Sequence, residues 1–153
     1  MEMERLIHDI HEEPKNFLKK YIFSYDHKII AKQFLLYGFF FLAIGGLMAL
    51  FIRWTLAYPS ESFPILGKLL YPGNDGLVSP QAYAALFTLH GTIMIFFAIT
   101  PLLIGVIGNY CIPLMLGARD MAFPFLNMLS FWTLIVAGVF LLASFLIPFG
   151  PAS

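Results

Sequence analysis

Three long apolar runs alternate with polar, charged or proline-rich stretches along the 153 residues of this chain. The first, 34–52 (FLLYGFFFLAIGGLMALFI), is uncharged and closed by Arg53. At about 1.5 Å rise per residue, a helix of that length covers the roughly 30 Å hydrocarbon core of a bilayer. The second, 82–108 (AYAALFTLHGTIMIFFAITPLLIGVIG), holds one ionisable nitrogen ring, His90. The third, 121–147 (MAFPFLNMLSFWTLIVAGVFLLASFLI), is again uncharged. Helices apolar on all sides belong in lipid, because a soluble helix needs a polar face. The pattern predicts an all-α membrane protein with spans at about 34–53, 82–108 and 121–147.

The intervening segments predict no further span. Residues 1–33 place apolar positions irregularly around Pro14 and read as short interfacial helices, with His8 and His11 on a solvated face. Residues 54–80 contain Pro59, Pro64, Pro72, Pro80 and the Asn74-Asp75-Gly76 turn signal, so they form an extramembrane loop. Trp54, Tyr58 and Tyr71 suit a water-lipid boundary. The connector YCIPLMLGARD (110–120) is broken by Pro113 and Gly117, and Pro148, Gly150 and Pro151 end the third run. Within the first run, Gly38, Gly45 and Gly46 recur at intervals of seven and eight, where small residues let a helix or a flat ligand approach.

Composition agrees: 59% of residues are hydrophobic and only 12% charged, which excludes an ordinary soluble domain. The zero net charge conceals an asymmetry. Arg5, Lys15, Lys19, Lys20, Lys28 and Lys32 precede the first run, Arg119 lies between the second and third, and Lys68 stands alone in the 54–80 loop. Positive residues favour the cytoplasmic side, so the N-terminus and the 109–120 connector are expected inside and the 54–80 loop outside. Nucleic-acid binding gains no support. The start of the chain lacks a signal-peptide pattern, and the single Cys111 excludes an internal disulfide and reads as an apolar space-filler.

The candidate chemistry centres on His90. An ionisable side chain within a span loses its hydration and needs a hydrogen-bond partner or a metal. Neutral imidazole is a good axial ligand of haem iron, with Gly91 and Ala85 leaving space and Phe87, Phe96 and Phe97 offering apolar walls. A histidine bonded to a neighbouring helix is the alternative. Arg53 can offer its fork of donors to a polar group on a cofactor, or snorkel to lipid headgroups. Asp120, beside Arg119, reads either as a helix cap or as a proton-collecting carboxylate with Asn109, Asn127 and Ser130 nearby to hydrogen-bond water.

YIFSYDHK (21–28), LFIR (50–53), LHGTIMIFF (89–97), GNYCIPLMLGARDMAFP (108–124) and LNMLSFW (126–132) together resemble the N-terminal part of subunit I of haem-copper terminal oxidases, the cytochrome c oxidase type. The likeness covers residues 21–150, and its GN-x-x-x-PLM-x-GA-x-DMAFP block is highly specific. It implies the first three helices of a twelve-helix subunit I fold, with 34–153 as a partial domain behind the 1–33 lead. It further implies that His90 ligates the low-spin haem iron, that Arg53 meets the formyl group of a haem A, and that Tyr83 lies near the same haem. Asp120 matches the mouth of a proton-uptake path, with Asn109 and Asn127 lining its water chain. Two departures stand out: Ala31 and Phe34 in HKIIAKQF, and Phe125 and Met128 in FPFLNM, where relatives carry an arginine and an asparagine.

The implied activity is reduction of oxygen to water with electrons from cytochrome c, coupled to proton pumping. The implied partners are oxidase subunits II and III, cytochrome c and membrane lipid, in a bacterial inner membrane. Copper and a high-spin haem belong to the complete subunit, but their histidine ligands have no counterparts here, since His8, His11 and His27 lie in or beside the polar lead. The chain is therefore expected to be a fragment without oxygen-reducing activity alone. Rival expectations are a non-redox membrane assembly or transport protein, in which His90 and Arg53 only join helices, and a quinol oxidase or nitric oxide reductase relative.

Overall fold

The computed structural model describes residues 21–118 and 120–144. The interfacial-helix expectation for 1–20, with His8 and His11, falls outside those residues, as do Arg119, the end of the third run and its proline stop. The first helix, α1 (His27–Ala57), is followed by a short α2 (Leu66–Leu70) and a single tight turn at Pro72–Asn74. A second long helix, α3, runs Pro80–Met115, and α4 runs Pro124–Ser144. Among the described residues α1, α3 and α4 are long and apolar enough to cross a membrane.

α1 begins seven residues before the expected boundary, and its N-terminus shows why. Asp26 is extended (φ −68°, ψ 119°) and its carboxylate accepts from the Lys28 amide at 2.8 Å, supplying one of the acceptors that a helix start lacks. Lys28 and Lys32 both lie on the exposed side, so neither charge interrupts burial. The buried positions are His27, Ile30, Ala31, Phe34, Tyr37, Gly38, Phe41, Gly45, Met48 and Phe51, a continuous stripe at three- and four-residue spacing. Hydrophobicity puts this helix in lipid; the stripe chooses the side that meets protein.

α3 also exceeds its expected bounds, continuing through Pro113 to Met115. Gly117 in the left-handed conformation (φ +65°) then stops it, with the Ala118 amide donating to Pro113 and the Gly117 amide to Leu114. Its middle is wound more widely, in π geometry, over Ile93–Ile99 and Pro101–Gly108. Pro101 has no amide proton for the carbonyl one turn back, and beside it both the amide and the hydroxyl of Thr100 donate to Ile95 O, the hydroxyl at 2.7 Å.

α1 is the shared wall of the bundle, packing against α3 on one side and α4 on the other. With no water to drive apolar surfaces together, close approach must supply the attraction, and it occurs at glycines. A Cβ on Gly38 would come 2.6 Å from Leu102, one on Gly105 2.5 Å from the Phe34 ring, and one on Gly138 2.5 Å from the Tyr37 hydroxyl. The α4 contact adds Phe131 edge-on to Phe34, with ring centres 5.1 Å apart, and a 3.0 Å bond from the Tyr37 hydroxyl to Leu134 O. At the far end, Phe63 from the 58–79 loop stacks on Phe51 at 4.0 Å, which ties this loop to α1.

Candidate functional site

His90 projects from α3 toward α1, and its Nδ1 lies 2.9 Å from the carbonyl of Gly45. A carbonyl only accepts, so Nδ1 carries the proton and Nε2 holds the lone pair. His90 is half-buried, and Nε2 keeps accessible surface with no hydrogen-bond partner among the described residues. A Cβ on Gly91 or Gly46 would meet no atom within 4 Å, so both sides of the histidine contact open onto free space. Of the expected aromatic walls, Phe87 and Phe96 are exposed, while Phe97 packs on Phe41 at 5.2 Å.

α1 and α3 are antiparallel, so residues after Gly45 and residues before His90 climb toward the same end of the bundle. Tyr83, seven residues before His90, returns to nearly the same helix face about 10 Å higher. Arg53 lies eight residues beyond Gly45, about 12 Å higher and exposed, close to the 58–79 loop.

At the opposite end residues of α3 and α4, with Phe34 of α1, line a cavity of about 450 Å³. Its walls include Asn109, Asn127, Ser130, Thr100 and Gly105. Thus the three amide and hydroxyl residues picked out in the sequence share one space. Asn109 is buried; its Nδ2 donates to Gly105 O at 2.6 Å, while its Oδ1 has no partner among the described residues. Asn127 Nδ2 is likewise buried and unpaired. Two residues that line one cavity thus leave a buried acceptor and a buried donor without partners.

Asp120 stands just outside this cavity, next to Met121 in its wall. It caps no helix: α4 starts at Pro124, a residue suited to the first helical position, and Asp120 accepts instead from the Met121 amide at 2.8 Å. The same Oδ1 lies 3.1 Å from Nδ1 of His27. His27 is 97% buried in α1, its Nε2 having no partner among the described residues. This pairing was not foreseen, because His27 sits 93 residues from Asp120 and looked like part of the polar lead. The available signal was its register, three and seven residues before Ile30 and Phe34 on the buried stripe.

The profile of the family described as "Cytochrome C and Quinol oxidase polypeptide I" matches residues 29–153. The chain belongs to this family. Among curated relatives, cytochrome c oxidase subunit 1 of Thermostichus vulcanus is 48% identical over 126 residues, covering 82% of this chain and 20% of the relative. An alternative cytochrome c oxidase subunit 1 from Bradyrhizobium diazoefficiens is 38% identical over 138 residues, 90% of this chain and 21% of that protein. The corresponding subunit of Bacillus subtilis is 43% identical over 126 residues, 82% and 18%. The chain therefore spans about a fifth of the length of these relatives. The three-helix membrane architecture is that of the N-terminal part of a subunit I, and haem and copper are the cofactors of the complete family member.

Proposed function

We propose that this chain supplies one axial ligand of the low-spin haem and the proton-uptake mouth of a proton-pumping cytochrome c oxidase. The observation that carries the reading is the state of His90: Nδ1 engaged by Gly45, Nε2 free, and glycine-lined space beside it. That donor set fits a haem, since iron takes a neutral imidazole nitrogen and the opposite nitrogen is normally held by a carbonyl or carboxylate. When bound, the haem supplies one-electron redox chemistry. Arg53 and Tyr83, on the side of His90 toward the loop, are suited to the polar edge of such a group, with Arg53 donating to the formyl oxygen of haem A.

The polar cavity supports the second half of the proposal. Asp120 takes up a proton on its carboxylate at the exposed end, with His27 as its neighbour, and Asn109 and Asn127 hold water beyond it through their unpaired amide atoms. The distribution of Lys and Arg orients the N-terminus and the Asp120 end toward the cytoplasm of a bacterial cell, so protons enter from inside. The relatives are cytochrome c oxidase subunits, which favours cytochrome c as the electron donor, with oxygen reduced to water at a copper and high-spin haem centre in parts of the subunit that this chain does not span. Other oxidase subunits complete the assembly.

The test is made in the complete oxidase. His90→Ala should abolish the low-spin haem band in the reduced-minus-oxidised spectrum, and Asp120→Asn should slow turnover and pumping with that band intact. An unchanged band in the first variant, or unchanged pumping in the second, removes the corresponding half of the proposal.

A further inference from the structure

We infer that the Gly45 carbonyl, fixed by a Met94 clamp, is the positioning group that orients His90 and sets its donor strength, and so tunes the low-spin haem potential. The inference rests on the reading of His90 as an axial ligand. It starts from the 2.9 Å contact between His90 Nδ1 and Gly45 O, which joins two different helices. Of the two tautomers only the Nδ1–H form makes this bond, since the other sets a ring lone pair against the carbonyl lone pairs. The contact therefore keeps Nε2 as the free donor nitrogen. An N–H donated to a carbonyl also pushes electron density into the ring and makes Nε2 a stronger ligand.

A main-chain carbonyl has no rotamer to adjust, so its distance from His90 depends on how closely α1 and α3 approach. That spacing is set at Gly45. A Cβ there would come 2.6 Å from Met94 Sδ, 3.2 Å from Met94 Cγ and 3.4 Å from an Ile93 methyl. Met94 lies one helical turn beyond His90 on the same face, so the side chain that fills the glycine notch and the ring that uses its carbonyl belong to one surface. The wide winding of α3 begins at Ile93, directly beneath this contact.

A packing notch without a positioning role provides the comparison. Gly38, seven residues earlier on α1, has Leu102 at the same distance, 2.6 Å from an added Cβ, but no side chain among the described residues hydrogen-bonds to its carbonyl. At both glycines the nearest atom would lie 2.6 Å from an added Cβ, the thioether sulfur of Met94 at Gly45 and the branched Cγ of Leu102 at Gly38, and only Gly45 carries the hydrogen bond to a ligand candidate.

The experiment is a redox titration of the low-spin haem in the complete oxidase carrying Gly45→Ala, Gly38→Ala or Gly45→Ala with Met94→Ala. In Gly45→Ala the band should persist while the ferric-to-ferrous affinity ratio falls about tenfold, the lower end for loss of an outer-shell partner, which raises the potential by about 59 mV for one electron. Gly38→Ala should leave the potential unchanged, and removing Met94 should bring the Gly45→Ala value back toward wild type. A Gly45→Ala potential equal to wild type, or an equal shift in Gly38→Ala, overturns the inference. Should Gly45→Ala fail to assemble, hyperfine spectroscopy of ¹⁵N-histidine in the wild-type ferric enzyme decides: an exchangeable, hydrogen-bonded Nδ1 proton supports the inference and its absence refutes it. A band surviving His90→Ala instead defeats the ligand reading, which the potentials of the glycine variants leave untouched.

Discussion

Gly105→Ala probes the junction between the helix bundle and the polar cavity. The added Cβ would lie 2.5 Å from Phe34 Cδ1 and 2.6 Å from Cγ, whereas ordinary contact begins at 3.4 Å. The ring must retreat by 3.4 − 2.5 = 0.9 Å, or the helices must separate by that amount. Phe131, edge-on to Phe34, blocks one direction of retreat, and the cavity lies in another. Overpacking of this kind costs about 1–3 kcal/mol. Either response disturbs Asn109, whose Nδ2 holds the Gly105 carbonyl, and a ring displaced into the cavity takes the volume of bound water. We expect Gly105→Ala to lower the thermal stability of the complete subunit and to slow proton uptake, measured with a pH dye after mixing reduced enzyme with oxygen. The low-spin haem band should remain. Gly105→Ala combined with Phe34→Ala, which removes the clashing Cγ and Cδ1, should recover part of the uptake rate. Wild-type uptake in the single variant refutes the assignment of this cavity as the water path.

Three further outcomes follow from the packing. Tyr37→Phe removes the 3.0 Å bond to Leu134 O and should cost about 0.6 kcal/mol, the average for interhelical bonds in membranes, read from unfolding in detergent. A double-mutant cycle of His27→Phe and Asp120→Asn should yield about 0.5–1.5 kcal/mol of coupling in stability, and His27→Phe alone should alter the rate of proton uptake; additive effects would show that the 3.1 Å contact carries nothing. Phe63→Ala, which removes the ring stacked 4.0 Å from Phe51, should raise hydrogen exchange across the 58–79 loop while leaving the centres of α1 and α3 protected.

The three helices were legible because lipid demands uninterrupted apolar runs, and no other element can satisfy its backbone there. Their ends were less so. Lys28 and Lys32 look like a boundary in a hydropathy pattern, yet α1 runs past both because they share an exposed side while His27, Ile30 and Ala31 continue the buried one. Pro113 looks like a stop, but α3 continues to the left-handed Gly117. Asp120 resembles a cap only until the helix is seen to start at Pro124. Of the site residues, His90 stood out as the ionisable group in a span, and Asn109 and Asn127 through the family resemblance. Register along α1 marks His27 as buried, but its partner Asp120, and the bond from His90 to the carbonyl of Gly45, cannot be read from spacing along the chain.

Chemical rescue of the proposed ligand is the most direct measurement. His90→Gly in the complete oxidase removes the imidazole and leaves a hole in α3 beside Gly91. The account predicts loss of the low-spin haem band in that variant and its return when free imidazole is added to occupy the hole. A band present at full strength in His90→Gly without imidazole would contradict it.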